Sequence, residues 1–140
     1  MSIPARRYYA RGRAALDRGE ADQAIEALAA AIDLAPHFTD ARLAYAVALA
    51  RIGDTPRAAQ TLRAGLGYAH TAPARAALSL ALGEVLTTAG DFPGAEDAFR
   101  QASAHPAFAP RASAGRARAL ARTGRYADAV AAFLAAARGD

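Results

Sequence analysis

Three kinds of side chain in this sequence could carry chemistry: histidines, carboxylates and arginines. His37, His70 and His105 are the residues a zinc site would draw on, and zinc needs its ligands within about 2 Å of one ion. The three fall at equivalent points of a unit that recurs along the chain. Equivalent points on stacked helix pairs lie on the order of 10–20 Å apart, because packed helices sit about 8–10 Å from one another. One ion therefore cannot use all three, and no metal or other cofactor is expected. The chain has no cysteine, which removes thiolate ligands and disulfides alike. Acid–base catalysis asks for two carboxylates with separated pKa values in one pocket. Glu96 and Asp97 are adjacent, and adjacent residues on a helix do not face each other. A phosphate loop, an HExxH helix and a nucleophile on a strand–turn–helix are all missing. The sequence predicts no enzyme.

The arginines form a more regular pattern. Arg111, Arg118 and Arg122 are spaced i, i+7, i+11, which at 100° per residue keeps them within about 40° of one another on a helix. Arg6 and Arg13 repeat the first interval, with Asp17 as the third member. All 17 basic residues are arginine, and lysine and asparagine are absent. That usage reads first as the coding bias of a GC-rich, bacterial genome and only second as chemistry. The net charge of +4 is spread evenly: 9 Arg against 7 acids over residues 1–70, and 8 against 6 over residues 71–140. With no basic tail or acidic block, nucleic acid is not an expected partner. No apolar run reaches transmembrane length, and Arg6, Arg7 and Arg11 near the start have no apolar signal core behind them. A cytoplasmic protein without membrane contact is expected.

Positioning these groups falls to helices. The 140 residues include 44 Ala, the best helix former, against 14 β-branched residues. Each Ala buries little, so the core must consist of thin layers of closely approaching helices. Glycines at 19, 53, 90 and 124 recur at intervals of 34, 37 and 34. Five residues after each comes an Ala, and four later a large apolar residue: Ala24 and Leu28, Ala58 and Leu62, Ala95 and Phe99, Ala129 and Phe133. Pro56, Pro73, Pro93 and Pro110 each suit a helix first turn, and Thr55 suits an N-cap. Helix pairs are expected near 5–18 and 22–35, 40–52 and 56–68, 74–89 and 93–104, 110–123 and 127–138. Gly65 and Gly67 weaken the end of the fourth helix and make the middle of the chain its soft point.

On these residues the chain resembles four tetratricopeptide (TPR) repeats, at about 5–38, 39–72, 76–109 and 110–140. The small positions of that family fall on Gly12, Ala46, Gly83 and Ala117, and later on Ala31, Gly65, Ala102 and Ala136. Pro36 closes the first unit; His70 replaces the closing proline in the second, and it is displaced to Pro106 in the third. The aromatic start survives only as Tyr8, with Arg42, Ser79 and Ser113 in its place later. The resemblance implies an all-α right-handed solenoid of eight helices forming a single domain. It also implies a concave groove lined by the first helix of each repeat, and a role in binding protein partners. Groove positions then fall on Arg6, Tyr9, Arg13 and Asp17; on Asp40, Leu43, Val47 and Arg51; on Ala77, Leu80, Glu84 and Thr88; and on Arg111, Ala114, Arg118 and Arg122. The Lys and Asn that hold a peptide carboxylate in some relatives have no counterpart here.

Basic flanks around an apolar middle of Leu43, Val47 and Leu80 suit a peptide or helix with acidic residues. Arginine as a plain solubilising residue is the competing reading. The last helix, 127–138, carries one charge, Asp128, before Arg138 and would expose Val130 or Leu134 beside alanines. Such a face marks an interface, with a partner or between two copies. The expected function is a non-catalytic protein-interaction adaptor. The alternative is a small secretion-type chaperone for exported subunits, a class that carries an N-terminal dimerisation segment where this chain has only Met1 to Pro4.

Overall fold

The structure is a computed structural model that describes residues 2–139. These residues form eight α-helices and no strand: α1 (Ile3–Asp17), α2 (Ala21–Leu34), α3 (Thr39–Arg51), α4 (Thr55–Tyr68), α5 (Ala72–Ala89), α6 (Phe92–Ala102), α7 (Ala109–Arg122) and α8 (Tyr126–Arg138). Every bound lies within two residues of the sequence expectation. Among the described residues no helix is long and apolar enough to cross a membrane.

The turn inside each helix pair is the same four times. Gly19, Gly53, Gly90 and Gly124 have φ between 74° and 85°, the left-handed region that a side chain disfavours. The residue after each glycine then donates its backbone N–H to a carbonyl five residues back. Glu20 reaches Ala15, Asp54 reaches Leu49, Asp91 reaches Leu86 and Arg125 reaches Leu120, each at 2.9 Å. This closes the free carbonyls at the helix end. The same residue is the N-cap of the next helix. One correction follows at α4, where Asp54 rather than Thr55 is the cap: its Oδ1 accepts the Arg57 N–H at 3.2 Å, and Thr55 is already helical. The prolines sit in first turns as expected.

The chain divides into two compact units, one ending at Ala69 and one beginning at His70. In the first, Gly12 of α1 lies so close to Leu28 of α2 that a Cβ would fall 2.5 Å from Leu28 Cγ. Leu28, Leu49 and Leu62 are fully buried. Ala5, Ala31, Ala35, Phe38 and Ala41 pack with Tyr8, Tyr9 and Ile32 where α1, α2 and α3 meet. In the second unit Phe99 of α6 lies between Gly83 of α5 and Gly115 of α7, and a Cβ on either would come within 2.6 Å of the ring. Ala58 and Ala95 are fully buried, as the repeat register requires.

The last pair departs from the other three, in which Leu28, Leu62 and Phe99 are buried. Ala132 is buried, whereas Phe133 is 46% exposed. The α8 face that meets α7 runs through Ala129 and Ala132, three residues apart, against Ala117 and Leu120. Phe133 points away from it. Phe99, at the corresponding position of α6, is covered by the following helix α7, and among the described residues no helix follows α8.

A second departure concerns Glu96, which is nearly buried and draws three arginines. Its Oε1 accepts from Arg100 at 2.8 Å and Arg116 at 3.4 Å, and its Oε2 accepts from Arg125 at 3.0 Å. One carboxylate thus joins α6, α7 and the cap of α8. Removing it leaves three cations facing one another, so Glu96→Ala should lower stability by about 2 kcal/mol, whereas Asp97→Ala on the exposed side should cost under about 0.5 kcal/mol. Urea denaturation of both variants checks this. In the same assay Ala95→Leu should destabilise by about 1–3 kcal/mol through overpacking, and Leu at the exposed Ala131 should be near neutral.

Candidate partner-binding surfaces

In the first unit, α1 and α3 supply the expected groove residues. Arg6 and Arg13 are exposed and, among the described residues, their side chains make no ion pair or hydrogen bond. Val47 is exposed and Leu43 half-buried. Tyr9 is half-buried, its ring 4.9 Å from that of Phe38. Arg51 reaches back to α1, where its Nη1 donates to the Leu16 carbonyl at 2.9 Å. That carbonyl lies in the last turn of α1, the negative end of the helix dipole, so the guanidinium is favourably placed there. Arg51 therefore ties two helices together and has fewer donors left for a ligand.

In the second unit, α5 and α7 carry the rest. Arg111 and Glu84 form an exposed ion pair at 3.4 Å. The Arg122 guanidinium lies 5.0 Å from the centroid of the Phe92 ring. Arg118 is exposed and has no partner among the described residues. Leu80 requires a correction: it is 4% exposed and belongs to the core. Leu78, Leu80, Leu82, Val85 and Leu86 are all buried, so α5 is packed around much of its circumference and its apolar pattern does not mark an open face. The apolar middle expected of the groove is thereby reduced to Leu43 and Val47 of the first unit.

Asp17, Asp40 and Thr88 are exposed, Ala77 and Ala114 half-buried. His37 and His70 are exposed, while His105 Nδ1 accepts the Ala107 N–H at 3.2 Å. Among the described residues no group of three His, Asp or Glu side chains could hold a metal ion. On α8, Val130 is 57% and Leu134 54% exposed, with Tyr126 and Phe133 also open.

Sequence reasoning passed over one charged residue, Arg42 of α3. It is 6% exposed. Its Nε donates to the Pro36 carbonyl at 2.8 Å, and its Nη1 donates to the Thr61 carbonyl at 3.2 Å and hydroxyl at 3.3 Å. The Tyr68 ring lies 5.2 Å away. Burial pulls the guanidinium below its ordinary pKa, with Tyr68 acting the other way. The trace of this role in the sequence is the arginine itself, standing where the repeat pattern asks for an aromatic residue.

Comparison with known proteins matches this geometry to a family. Two family models, both described as tetratricopeptide repeat, match residues 15–82 and 80–140. A search of curated proteins finds no match. Among solved structures, the crystal structure of MamA aligns with a TM-score of 0.86 at 21% identity, over 96% of this chain and 77% of that one. MamA from residue 41 onward of Desulfovibrio magneticus RS-1 aligns at 0.84 and 21% identity, over 100% and 77% of the two chains. TTC0263, a thermophilic TPR protein of Thermus thermophilus, aligns at 0.74 and 22% identity, over 98% and 74%. At such identities these likenesses speak for the fold. With the glycine-ended helix pair repeated four times and the two family models together matching residues 15–140, the chain belongs to the tetratricopeptide repeat family, whose members bind protein partners.

Proposed function

We propose that this protein is a non-catalytic adaptor that holds an acidic peptide or helix of a partner protein on the arginine-bearing faces of its first helices. The observation that carries the reading is the α7 stripe. Arg118, at its centre, is exposed and unpaired among the described residues, and its neighbours Arg111 and Arg122 are engaged only by an exposed carboxylate and a ring face. Exposed pairs of this kind are worth about 0–1 kcal/mol, so a partner's carboxylates displace them at little cost. In the first unit the exposed Arg6 and Arg13 of α1 offer the same charge, and Val47 and Leu43 of α3 offer a place where a peptide's apolar residue can rest.

A helical peptide rich in Glu and Leu is the probe. Arg118→Glu should weaken its binding about tenfold, or about 1.4 kcal/mol, and flatten the salt dependence of the affinity. The melting temperature should barely move, since the position is exposed. Unchanged affinity for the acidic peptide after Arg111, Arg118 and Arg122 are all replaced by Ala overturns the reading and leaves the stripe as solubilising charge.

A second surface, on α8, supports self-association. Tyr126, Val130, Phe133, Leu134 and Ala137 follow i, i+4, i+7, i+8, i+11, a spacing that makes a continuous apolar stripe along one side of the helix. Such a stripe is self-complementary across a two-fold axis, so the occupant proposed for it is a second copy of the chain. Sedimentation over a wide concentration range should show a dimer that Leu134→Arg converts to monomer. A wild-type protein that stays monomeric at the highest concentration sinks the idea.

A further inference from the structure

We propose that the hollow between α2, α3 and α4 of the first unit binds a small monocarboxylate with a short aliphatic tail. The hollow is open to solvent and has a volume of about 270 Å³. Its floor is Arg42 and Tyr45 of α3, and one wall is Arg57, Gln60 and Thr61 of α4. The opposite wall, from α2, carries Ile32 and Asp33.

Unused hydroxyl donors give this site its polarity. The Tyr45 hydroxyl accepts from Arg57 Nη2 at 2.8 Å, and the Thr61 hydroxyl accepts from Arg42 Nη1 at 3.3 Å. A hydroxyl that accepts from a guanidinium still has its own proton to give. Among the described residues neither proton has an acceptor. Arg42 faces carbonyls, a hydroxyl and a ring but no carboxylate, so among the described residues its nearly buried charge lacks a counterion. Arg57 pairs with one described carboxylate, Asp54, at 3.5 Å and outside the hollow. The site therefore offers two guanidinium groups and two hydroxyl protons on the α3 and α4 side. Such a donor set fits a carboxylate, whose two oxygens only accept.

Asp33 narrows the choice. With Arg57 already paired to Asp54, Arg42 is the lining cation without a carboxylate partner among the described residues, which matches a monoanion, whereas a second carboxylate would meet the charge of Asp33 in the same lining. Ile32 and the lining alanines Ala29 and Ala64 make room for two or three methylenes. A free short-chain carboxylate and a glutamate side chain of a partner share this chemistry.

Side-chain Nε–Hε signals of Arg42 and Arg57 in ¹H–¹⁵N spectra report on the hollow directly. Butyrate and acetyl-glutamate amide are the two probes, and butyramide, uncharged and of the same shape, is the control. One or both carboxylates should shift the signals saturably, with butyramide at least about tenfold weaker, and the tighter of the two tells which source the site prefers. Arg57→Gln, an exposed substitution expected to fold, should weaken the carboxylate about tenfold while α7 substitutions leave it unchanged. No saturable shift with either carboxylate, equal shifts with butyramide, or undiminished binding to Arg57→Gln each overturns the proposal.

Discussion

The structure depends on a chain reversal made in two or three residues. A glycine at positive φ ends one helix, and the next residue both satisfies a carbonyl of that helix and starts the following one. So short a turn holds paired helices antiparallel and close. It also fixes their register, because the residue five past the glycine must then face the partner. That residue is alanine in all four pairs, and every one of them is buried.

Close approach in turn dictates how volume is shared. Where two backbones come together, one contributes a glycine and the other a large side chain: Gly12 with Leu28, and Gly83 and Gly115 with Phe99. Interiors packed to crystal-like density leave no slack for another methyl. The alanine content thus reflects the spacing of the helices, while the few large residues supply most of the apolar area removed from water.

Helix bounds and pairing were legible in the sequence because their causes are local: glycines at turn positions, prolines in first turns and an apolar residue every helical turn. What stayed hidden depended on distant residues. Leu80 looked like an open-face residue until the packing around α5 enclosed it. Phe133 stands where Phe99 stands in α6, but among the described residues no helix covers it. Of the partners of Glu96, Arg100 lies at the ordinary helical spacing of four, but Arg116 and Arg125 lie 20 and 29 residues away, where no spacing rule reaches. Arg42 was visible as a departure from the family pattern. The carbonyl it grips on Thr61 was not, being 19 residues further along. Arg6, Arg13 and Arg118 were legible as exposed, and Arg51, which is drawn to a carbonyl of α1, was not legible as a tie.

The two units differ in what their arginines hold. In the first, Arg42 and Arg51 join helices by donating to backbone carbonyls, which carry no net charge. In the second, the joints around Glu96 are ion pairs whose arginines are partly in water. Mobile ions screen the second kind over a Debye length of about 8 Å at physiological ionic strength and about 3 Å at 1 M. They leave the first kind nearly untouched. Concentrated salt consequently acts as a selective solvent for this molecule, loosening the attachment of α7 and α8 to α6 while the carbonyl-bound joints of α1, α3 and α4 keep their strength.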